Sequence, residues 1–298
     1  MPVRDWLAAL VVIVAWGVNF VIVKLALVEI PPLLLGGLRF ALVAFPAVFF
    51  VKRPSLPVRT IILYGATISL GQFASLFVAM YVGMPAGLAS LVLQVQAFFT
   101  VIIGALVLRE PIRPHNMLGI LIASLGLVVI HQTAMPGSVP IVGLSLTLLA
   151  ALFWASGNIV VKTAGKTDML SLVIWGALVP PIPFFIMSWF FEGSEAIRYS
   201  FENVSYIGIS ALVYQAFGAT IVGYVLWGVL LNLHAVSKVA PLSLMVPVVG
   251  LISAAVFLGE DLVFLQWLGG AVVLTGLAIN IFGLQLGQRI RTMRSMKR

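Results

Sequence analysis

The sequence predicts an all-α polytopic membrane protein in which ten transmembrane helices form two inverted five-helix repeats. Three observations lead to this fold class. Hydrophobic residues make up 62% of the 298 residues and charged residues only 9%, whereas a soluble domain is roughly 25% charged. Apolar runs that are long enough to cross a bilayer follow one another with short breaks. A short pattern, Glu-x8-Gly-x6-Gly, occurs once in each half of the chain.

The helices are delimited by proline, glycine and charged residues, which are typical of loops between transmembrane segments. The breaks include Pro31-Pro32, the basic run 52–59, and the polar stretch 192–203. The ten predicted helices span residues 6–28, 33–51, 61–81, 85–108, 115–132, 140–163, 170–191, 204–230, 234–258 and 264–286.

The repeated pattern consists of Glu110, Gly119 and Gly126 in the first half and Glu260, Gly269 and Gly276 in the second. A second pair of similar segments supports the duplication, because Trp16 and Lys24 have the same eight-residue separation as Trp154 and Lys162. We therefore expect one five-helix repeat at residues 1–138 and another at 139–298. Five is an odd number, so the two repeats must have opposite orientations, which is typical of secondary transporters.

The distribution of Lys and Arg predicts the orientation, since cytoplasmic loops are rich in these residues. With ten helices, nearly all loop and terminal cations fall on one side, and Arg198 lies on the other among three glutamates. Both termini are therefore expected in the cytoplasm, with the chain crossing the membrane many times. The cations on the cytoplasmic side are Arg4, Lys52, Arg53, Arg59, Arg109, Arg113, Lys162, Lys166 and those of the tail, 289–298.

Composition also argues against several classes of function. The net charge of +8 resides in loops and tails and forms no basic stripe for nucleic acid. All nine carboxylates lie at helix ends or in loops, there is no cysteine, and the three histidines do not have metal-ligand spacing. The sequence thus predicts no enzyme, no metal site, no cofactor and no intramembrane carboxylate relay for protons.

Polar and aromatic residues within the apolar helices are candidates for a substrate cavity, because a hydrogen-bonding group facing lipid is costly. Lys238 and Arg39 are cations within apolar runs, and either is a candidate partner for a substrate carboxylate or a gating residue. The predicted substrate-binding residues are Trp16, Asn19, Gln72, Tyr81, Gln94, Gln96, Trp154, Asn158, Tyr214 and Lys238.

Small residues and prolines indicate packing and flexibility rather than binding. The glycine pairs Gly119/Gly126 and Gly269/Gly276 are each seven residues apart, so each pair lies on one helix face that favours close helix packing. Glu110 and Glu260 stand at helix ends and are expected to cap or pair with neighbouring groups. Prolines that interrupt the predicted ninth helix, and could mark a moving segment, are Pro241 and Pro247.

These residues resemble the drug/metabolite transporter superfamily. The ten helices, the five-plus-five repeat, the Trp-Asn-Lys pattern of Trp16, Asn19 and Lys24, and the glutamate that precedes a Gly-rich helix are similar to EamA-type exporters, nearest the aromatic amino-acid exporter subgroup. The resemblance covers essentially the whole chain and implies export of amino acids or other small metabolites across the inner membrane of a bacterium.

The expected function is therefore a secondary carrier that exports amino acids, including aromatic ones, by alternating access, through facilitated diffusion or exchange. We expect the bilayer and a small-molecule substrate as its partners, with activity as a monomer and no role for nucleic acid. A multidrug or organic-cation exporter of the same fold is the alternative, and a channel or an intramembrane lipid enzyme is less favoured.

Overall fold

The computed structural model describes residues 1–132, 140–165, 167–234 and 236–295, and all regular structure in this part of the chain is helical. Five membrane-crossing helices are unbroken: α1 Val3–Ala26, α2 Pro32–Ala47, α5 Pro114–Gln132, α6 Ile141–Ala164 and α10 Phe264–Ser295. The other five consist of consecutive segments: α3 (Val58–Tyr64, Gly65–Gly71, Gln72–Tyr81), α4 (Ala86–Val92, Leu93–Val95, Gln96–Leu108), α7 (Met169–Gly176, Pro181–Phe191), α8 (Tyr206–Val213, Tyr214–Val222, Gly223–Leu233) and α9 (Val236–Val239, Ala240–Leu244, Met245–Leu258).

These helices confirm the predicted polytopic all-α class. Within the described residues, seven helices are long and apolar enough to cross a membrane, and three shorter apolar helices belong to α2, α5 and α9. Some boundaries differ from the prediction. The second helix ends at Ala47 rather than at residue 51, and its last turn contains Pro46, which lacks the N–H that would donate to the carbonyl oxygen of Leu42. The polar stretch expected as a loop contains a short amphipathic helix, Gly193–Asn203.

Departures from regular α-helix recur at corresponding places in the two halves. Both α3 and α8 contain a π-helical segment, at Gly65–Gly71 and Tyr214–Val222. A 3-10 segment likewise interrupts both α4 and α9, at Leu93–Val95 and Ala240–Leu244. Such irregular turns inside helices often occur at functional sites, and here all four lie in helices that surround the central cavity described below.

The C-terminal ends of α4 and α9 also have the same geometry. Arg109 and Gly259 follow these helices with left-handed backbone, at φ of 56° and 63°. The next residue in each case, Glu110 or Glu260, donates its backbone N–H back to the helix, to the carbonyl oxygens of Gly104 (3.4 Å) and Ala254 (3.3 Å). Glycine adopts this conformation without a Cβ penalty, whereas arginine is strained by it.

The paired glycines lie in the contact between α5 and α10. A Cβ added to Gly126 would be 2.7 Å from the carbonyl oxygen of Gly269, and one added to Gly119 would be 2.7 Å from that of Gly276. The two backbones therefore touch directly, which only the absence of side chains permits. These four residues lie outside the central cavity.

The bundle has two chemically different ends. The N-terminus and the loops after α2, α4, α6 and α8 lie at one end, called here the basic end, where Trp175 Nε1 donates to the carbonyl oxygen of Val51 (3.0 Å) and Lys162 contacts Glu110. The loops after α1, α3, α7 and α9 lie at the other, called the acidic end, where Glu29 contacts Ser205. The buried core fills the space between the ends.

Candidate functional site

A cavity of about 340 Å³ lies at the centre of the bundle. Its walls come from α1, α2, α3, α4, α6, α8 and α9, together with the first residue of α7, while none of the described side chains of α5 and α10 belongs to the lining. Both halves of the chain thus enclose it. The volume falls within the range of about 300–1,000 Å³ that is usual for small-molecule sites.

Eight of the residues singled out from the sequence line this cavity: Trp16, Asn19, Arg39, Gln72, Gln94, Gln96, Trp154 and Asn158. The lining residues that the sequence prediction did not include among the binding residues comprise apolar, aromatic and small polar ones, such as Leu76, Met169, Tyr64, Phe73, Tyr224, Trp227, Ser90 and Ser243. Tyr224 and Trp227 had a usable signal, because both are aromatic residues inside a predicted helix.

An aromatic cluster forms one wall. The ring of Trp16 lies 5.4 Å from that of Tyr224 and 5.5 Å from that of Trp227, centroid to centroid, in tilted arrangements. The indole N–H of Trp16 donates to the carbonyl oxygen of Ala219 at 2.9 Å. This carbonyl belongs to the π-helical segment of α8, where the regular i→i−4 pattern is broken. Trp16 therefore packs with the other two rings and also supplies a hydrogen-bond donor to a backbone carbonyl oxygen of the π-helical segment.

Arg39 is the charged residue of the cavity wall, and it is only 2% exposed. Its guanidinium donates to the hydroxyl of Thr220, from Nε at 3.2 Å and from Nη2 at 2.9 Å, and to Gln215 Oε1 from Nη1 at 3.4 Å. It also lies 4.2 Å from the centroid of the Phe73 ring. Its contacts among the described residues are thus neutral oxygens and ring faces, and none of the ion pairs found there includes it.

Amide side chains supply most of the remaining polarity. Asn158 Nδ2 donates to Gln96 Oε1 at 2.8 Å and to the hydroxyl of Thr100 at 3.1 Å, which links α6 to α4. Gln94 Nε2 donates to the carbonyl oxygen of Ser243 at 3.3 Å, which links α4 to α9.

Two further amides of the wall carry oxygen atoms without a hydrogen-bond partner. These atoms are Asn19 Oδ1 and Gln72 Oε1, and both are buried. A buried acceptor that has lost its water and gained no donor costs free energy. The two oxygens are therefore suited to receive a donor that enters with a ligand.

Three predicted binding residues do not line the cavity. Tyr81, the last residue of α3, is 61% exposed, and Lys238 is exposed near the start of α9. Tyr214 is turned to α1, where its hydroxyl donates to the carbonyl oxygen of Ala15 at 2.9 Å. A sequence pattern reports that a residue lies in a helix but not which neighbour its side chain faces, and this explains the difference.

The two prolines proposed to mark flexibility lie in α9. Pro247 is buried, and its carbonyl oxygen lies 3.5 Å from the hydroxyl of Ser90. Pro241 falls in the 3-10 segment Ala240–Leu244, and its side chain lies outside the described part of the structure. The irregular turn coincides with the position where a proline lacks the N–H that an α-helix needs.

The cavity extends to the basic end and stops short of the acidic end. Met169, which lines it, is the first residue of α7 at the basic end. Towards the acidic end the last lining residue of α4 is Ser90, about one turn inside the helix start at Ala86. Beyond it, Met80, Met84 and Leu88 have no exposed surface. The structure is therefore the state in which a packed layer covers the acidic side.

Three glutamates at the acidic end cap helices of the opposite half. Glu260 accepts from the N–H groups of Ala86 (2.7 Å) and Gly87 (3.0 Å) at the start of α4. Glu192 accepts from those of Leu33 (2.6 Å) and Leu34 (3.0 Å) at the start of α2.

The third such glutamate, Glu29, accepts from the backbone N–H and the hydroxyl of Ser205 at the start of α8, at 2.8 and 2.7 Å. The hydrogen bond from the Ser205 hydroxyl holds the pKa of Glu29 below its ordinary value. Glu29 is therefore a carboxylate, and not a carboxylic acid, at neutral pH.

Comparison with known proteins agrees with this geometry. The sequence profile of the EamA-like transporter family matches residues 5–132 and again residues 141–282. A "Probable amino-acid metabolite efflux pump" of Escherichia coli (strain K12) is 48% identical over 296 residues, which cover 98% of this chain and 99% of the relative. A protein of the same name from Salmonella typhimurium is also 48% identical, over the same shares of both chains.

A solved crystal structure with 18% sequence identity has a TM-score of 0.66 and covers 96% of this chain and 98% of its own, which shows a shared fold. The resemblance to the EamA-type exporters that was drawn from the sequence is confirmed by the family match. The apolar helices and the bacterial relatives make this a multi-pass bacterial membrane protein. The chain belongs to the EamA-like transporter family.

Proposed function

We propose that this transporter exports amino acids and similar small metabolites across the bacterial inner membrane, with both termini and the basic end in the cytoplasm. The substrate class is inferred from Arg39, whose buried guanidinium lies in the cavity wall among neutral partners. A buried charge is costly unless it is paired. A substrate carboxylate would supply the missing negative charge, and three of the five N–H groups of Arg39 are already engaged, which leaves two for it.

The unpartnered oxygens of Asn19 and Gln72 extend the proposal to the other end of an amino acid. An α-ammonium group has N–H donors and a positive charge, and amide oxygens accept from it without adding a fixed charge to the cavity. The aromatic cluster around Trp16 would then contact the substrate side chain by apolar packing, which tolerates a range of shapes. Aromatic amino acids are included in this range.

Alternating access of the two repeats, residues 1–138 and 139–298, is the proposed transport mechanism. The cavity lies between the repeats and is covered by a packed layer on one side, as expected of one state of a carrier. A packed layer argues against a permanently open channel. Transport by this mechanism needs neither an enzymatic step nor a cofactor. A monomer would carry it out by facilitated diffusion or exchange.

Export of organic cations is the second candidate, because the face of a tryptophan or tyrosine ring attracts cations, and Trp16 and Tyr224 lie side by side in the wall. Arg39 disfavours it, since a second positive charge in the same small cavity would be repelled.

Counterflow in proteoliposomes tests the proposal. Vesicles loaded with an unlabelled amino acid should accumulate the labelled one transiently, because the internal unlabelled substrate competes with the labelled one for exit on the carrier. The Arg39→Met variant removes the charge at similar side-chain length, so a comparison with the native chain measures what the Arg39 charge contributes to counterflow. If no amino acid in a broad panel shows counterflow while organic cations do, the second candidate replaces the first.

A further inference from the structure

We propose that Glu29, Glu192 and Glu260 form the latch that keeps the acidic end closed, with Glu260 as its main member. Release of these carboxylates from the helix starts that they cap would open the cavity to that side. The inference rests on the alternating access in the proposed function but not on the identity of the substrate.

The helix starts concerned cannot all cap themselves. Pro31 and Pro85 occupy the positions that precede α2 and α4, and neither has a side-chain oxygen that can accept a hydrogen bond. Pro32 follows Pro31 and lacks a backbone N–H, so Leu33 and Leu34 carry the first free donors of α2, and both donate to Glu192. A carboxylate at this position interacts favourably with the positive end of the helix dipole.

Each contact crosses from one half of the chain to the other. Glu260 follows α9 and caps α4, Glu192 follows α7 and caps α2, and Glu29 follows α1 and contacts α8. A rocking motion that separates the halves at this end must therefore break these charge-assisted hydrogen bonds, which are stronger than neutral ones.

Glu260 has the most direct effect on the cavity because of the helix that it holds. Three residues along α4, Ser90, Leu93 and Gln94, line the cavity within two to three turns of the capped start. The carboxylate also lies close against Gly87, where an added Cβ would be 3.4 Å from Glu260 Oε2. Displacement of the start of α4 would thus move part of the cavity wall together with Leu88 of the packed layer.

The opposite end has a different arrangement around the repeat counterpart of Glu260. Glu110 is exposed at the basic end, and its carboxylate pairs with Lys162 Nζ at 2.6 Å. Because Glu110 and Glu260 follow α4 and α9 in the same backbone geometry, the repeat implies that Glu110 takes up the latch role when the basic end closes. In the present state the latch is engaged at the acidic end. Its three glutamates are partly buried there.

Cysteine accessibility tests the latch without any substrate, and the native chain contains no cysteine. Ser90→Cys places one thiol in the cavity below the packed layer. A membrane-impermeant maleimide is added to intact cells, which expose the acidic end under the proposed orientation, or to inverted vesicles, which expose the basic end. Glu195→Cys, at an exposed position of the acidic end, establishes the orientation independently.

Glu260→Gln keeps the side-chain shape and removes the charge. We expect it to increase labelling of Ser90→Cys from the acidic end by about fivefold to tenfold, which corresponds to loss of one charged cap. Labelling from the basic end should show that the cavity is intact. The matched control Glu195→Gln removes an exposed charge from the same end and should leave the rate unchanged. Equal acidic-end rates for Glu260→Gln and native Glu260 would overturn the proposal.

A second measurement does not depend on the folding of that variant. Cysteines introduced together at Ala86 and Glu260, and bridged by a short bifunctional thiol reagent that reduction can cleave, should hold the latch closed. Counterflow should stop on bridging and return on reduction. Undiminished counterflow after complete bridging would refute the latch, whereas absence of counterflow in the native chain would count against the proposed substrates only.

Discussion

Arg39 donates two hydrogen bonds to the single hydroxyl oxygen of Thr220, at 3.2 Å from Nε and 2.9 Å from Nη2. Arg39 belongs to α2 of the first half and Thr220 to the π-helical segment of α8 in the second. The hydroxyl of Thr220 in turn donates to the carbonyl oxygen of Gln215 at 2.8 Å. The guanidinium is therefore held by a segment whose backbone hydrogen bonds span one residue more than in an α-helix, and Arg39 lines the cavity.

Replacement of Arg39 should separate binding from stability. Arg39→Met is expected to raise KM for amino acids by roughly 10- to 100-fold, because hydrogen bonds to charged groups contribute about 1.5–3 kcal/mol. The same variant should unfold at an equal or higher temperature, since it removes a buried charge that has no anionic partner. Transport kinetics and thermal unfolding in detergent measure the two effects. An unchanged KM would exclude Arg39 from substrate binding.

Gln72→Met tests the proposed ammonium contact. The variant removes a buried oxygen that has no partner, so the free energy of unfolding should rise by about 1 kcal/mol. It should also weaken binding of an amino acid while leaving the analogue that lacks the amino group unaffected. The comparison of the two ligands is the control. Equal losses for both would show that Gln72 acts on the shape of the cavity instead.

The close contact of α5 with α10 should tolerate no added carbon atom. Gly126→Ala would place a Cβ 2.7 Å from a backbone oxygen, and the resulting overpacking should lower the free energy of unfolding by about 1–3 kcal/mol. Gly270→Ala is the matched control on α10, because its Cβ would meet only the tip of the Leu91 side chain, at 3.1 Å. Thermal unfolding of both variants decides the matter, and equal midpoints would contradict the expected difference.

Arg109→Gly should stabilise the protein. Arg109 has a left-handed backbone with φ of 56°, and the corresponding position of the second half is already Gly259. Relief of this strain, less the conformational entropy that glycine adds to the unfolded chain, should amount to about 0.5–1 kcal/mol. Arg113→Gly is the control, because it removes an equal charge from the same loop at a residue whose φ is not positive. It should not raise the unfolding temperature.

The contact of Glu29 with Ser205 should weaken only in acid. The pKa of Glu29 is lowered from its ordinary value of 4.5 by hydrogen bonds from Ser205, so the ionised form is the one that stabilises the contact. Its contribution is complete above the ordinary pKa and is lost as pH falls through the lowered one. Acidic-end labelling of Ser90→Cys, relative to Glu195→Cys at the same pH, should be constant from about pH 6 to 8 and rise below about pH 4.5. Glu29→Gln should reduce this rise, because Glu29 is one of the three carboxylates of the latch.

Much of the fold was accessible from the sequence because bilayer physics leaves a visible pattern. Long apolar runs must be helices that satisfy their own backbone, and Lys and Arg mark the ends. The boundary after Pro46 was misplaced because the apolar run continues to residue 51, so hydropathy gives no signal where the helix ends at Ala47. The π-helical turns in α3 and α8 also escaped prediction, because they depend on packing against neighbours rather than on composition.

The candidate site was only partly accessible. Residues such as Asn19 and Gln94 stood out because polar atoms are costly in an apolar run. Tyr214 and Lys238 satisfied the same criterion, yet Tyr214 donates to α1 and Lys238 is exposed. The rotation of a helix about its axis decides such cases, and it is set by contacts between distant segments. For the same reason the sequence identified Glu260 as a capping residue but not the helix that it caps.

The prolines that begin α2 and α4 have a consequence for the chain as two fragments. Each half contains helix starts whose donors it does not satisfy with its own carboxylates and offers carboxylates that it does not use itself. Two polypeptides divided after residue 132 should therefore be poor folding units when expressed singly and should complement each other when expressed together. The peptide connection between the two halves would then serve mainly to keep them in equal amounts and in the same membrane.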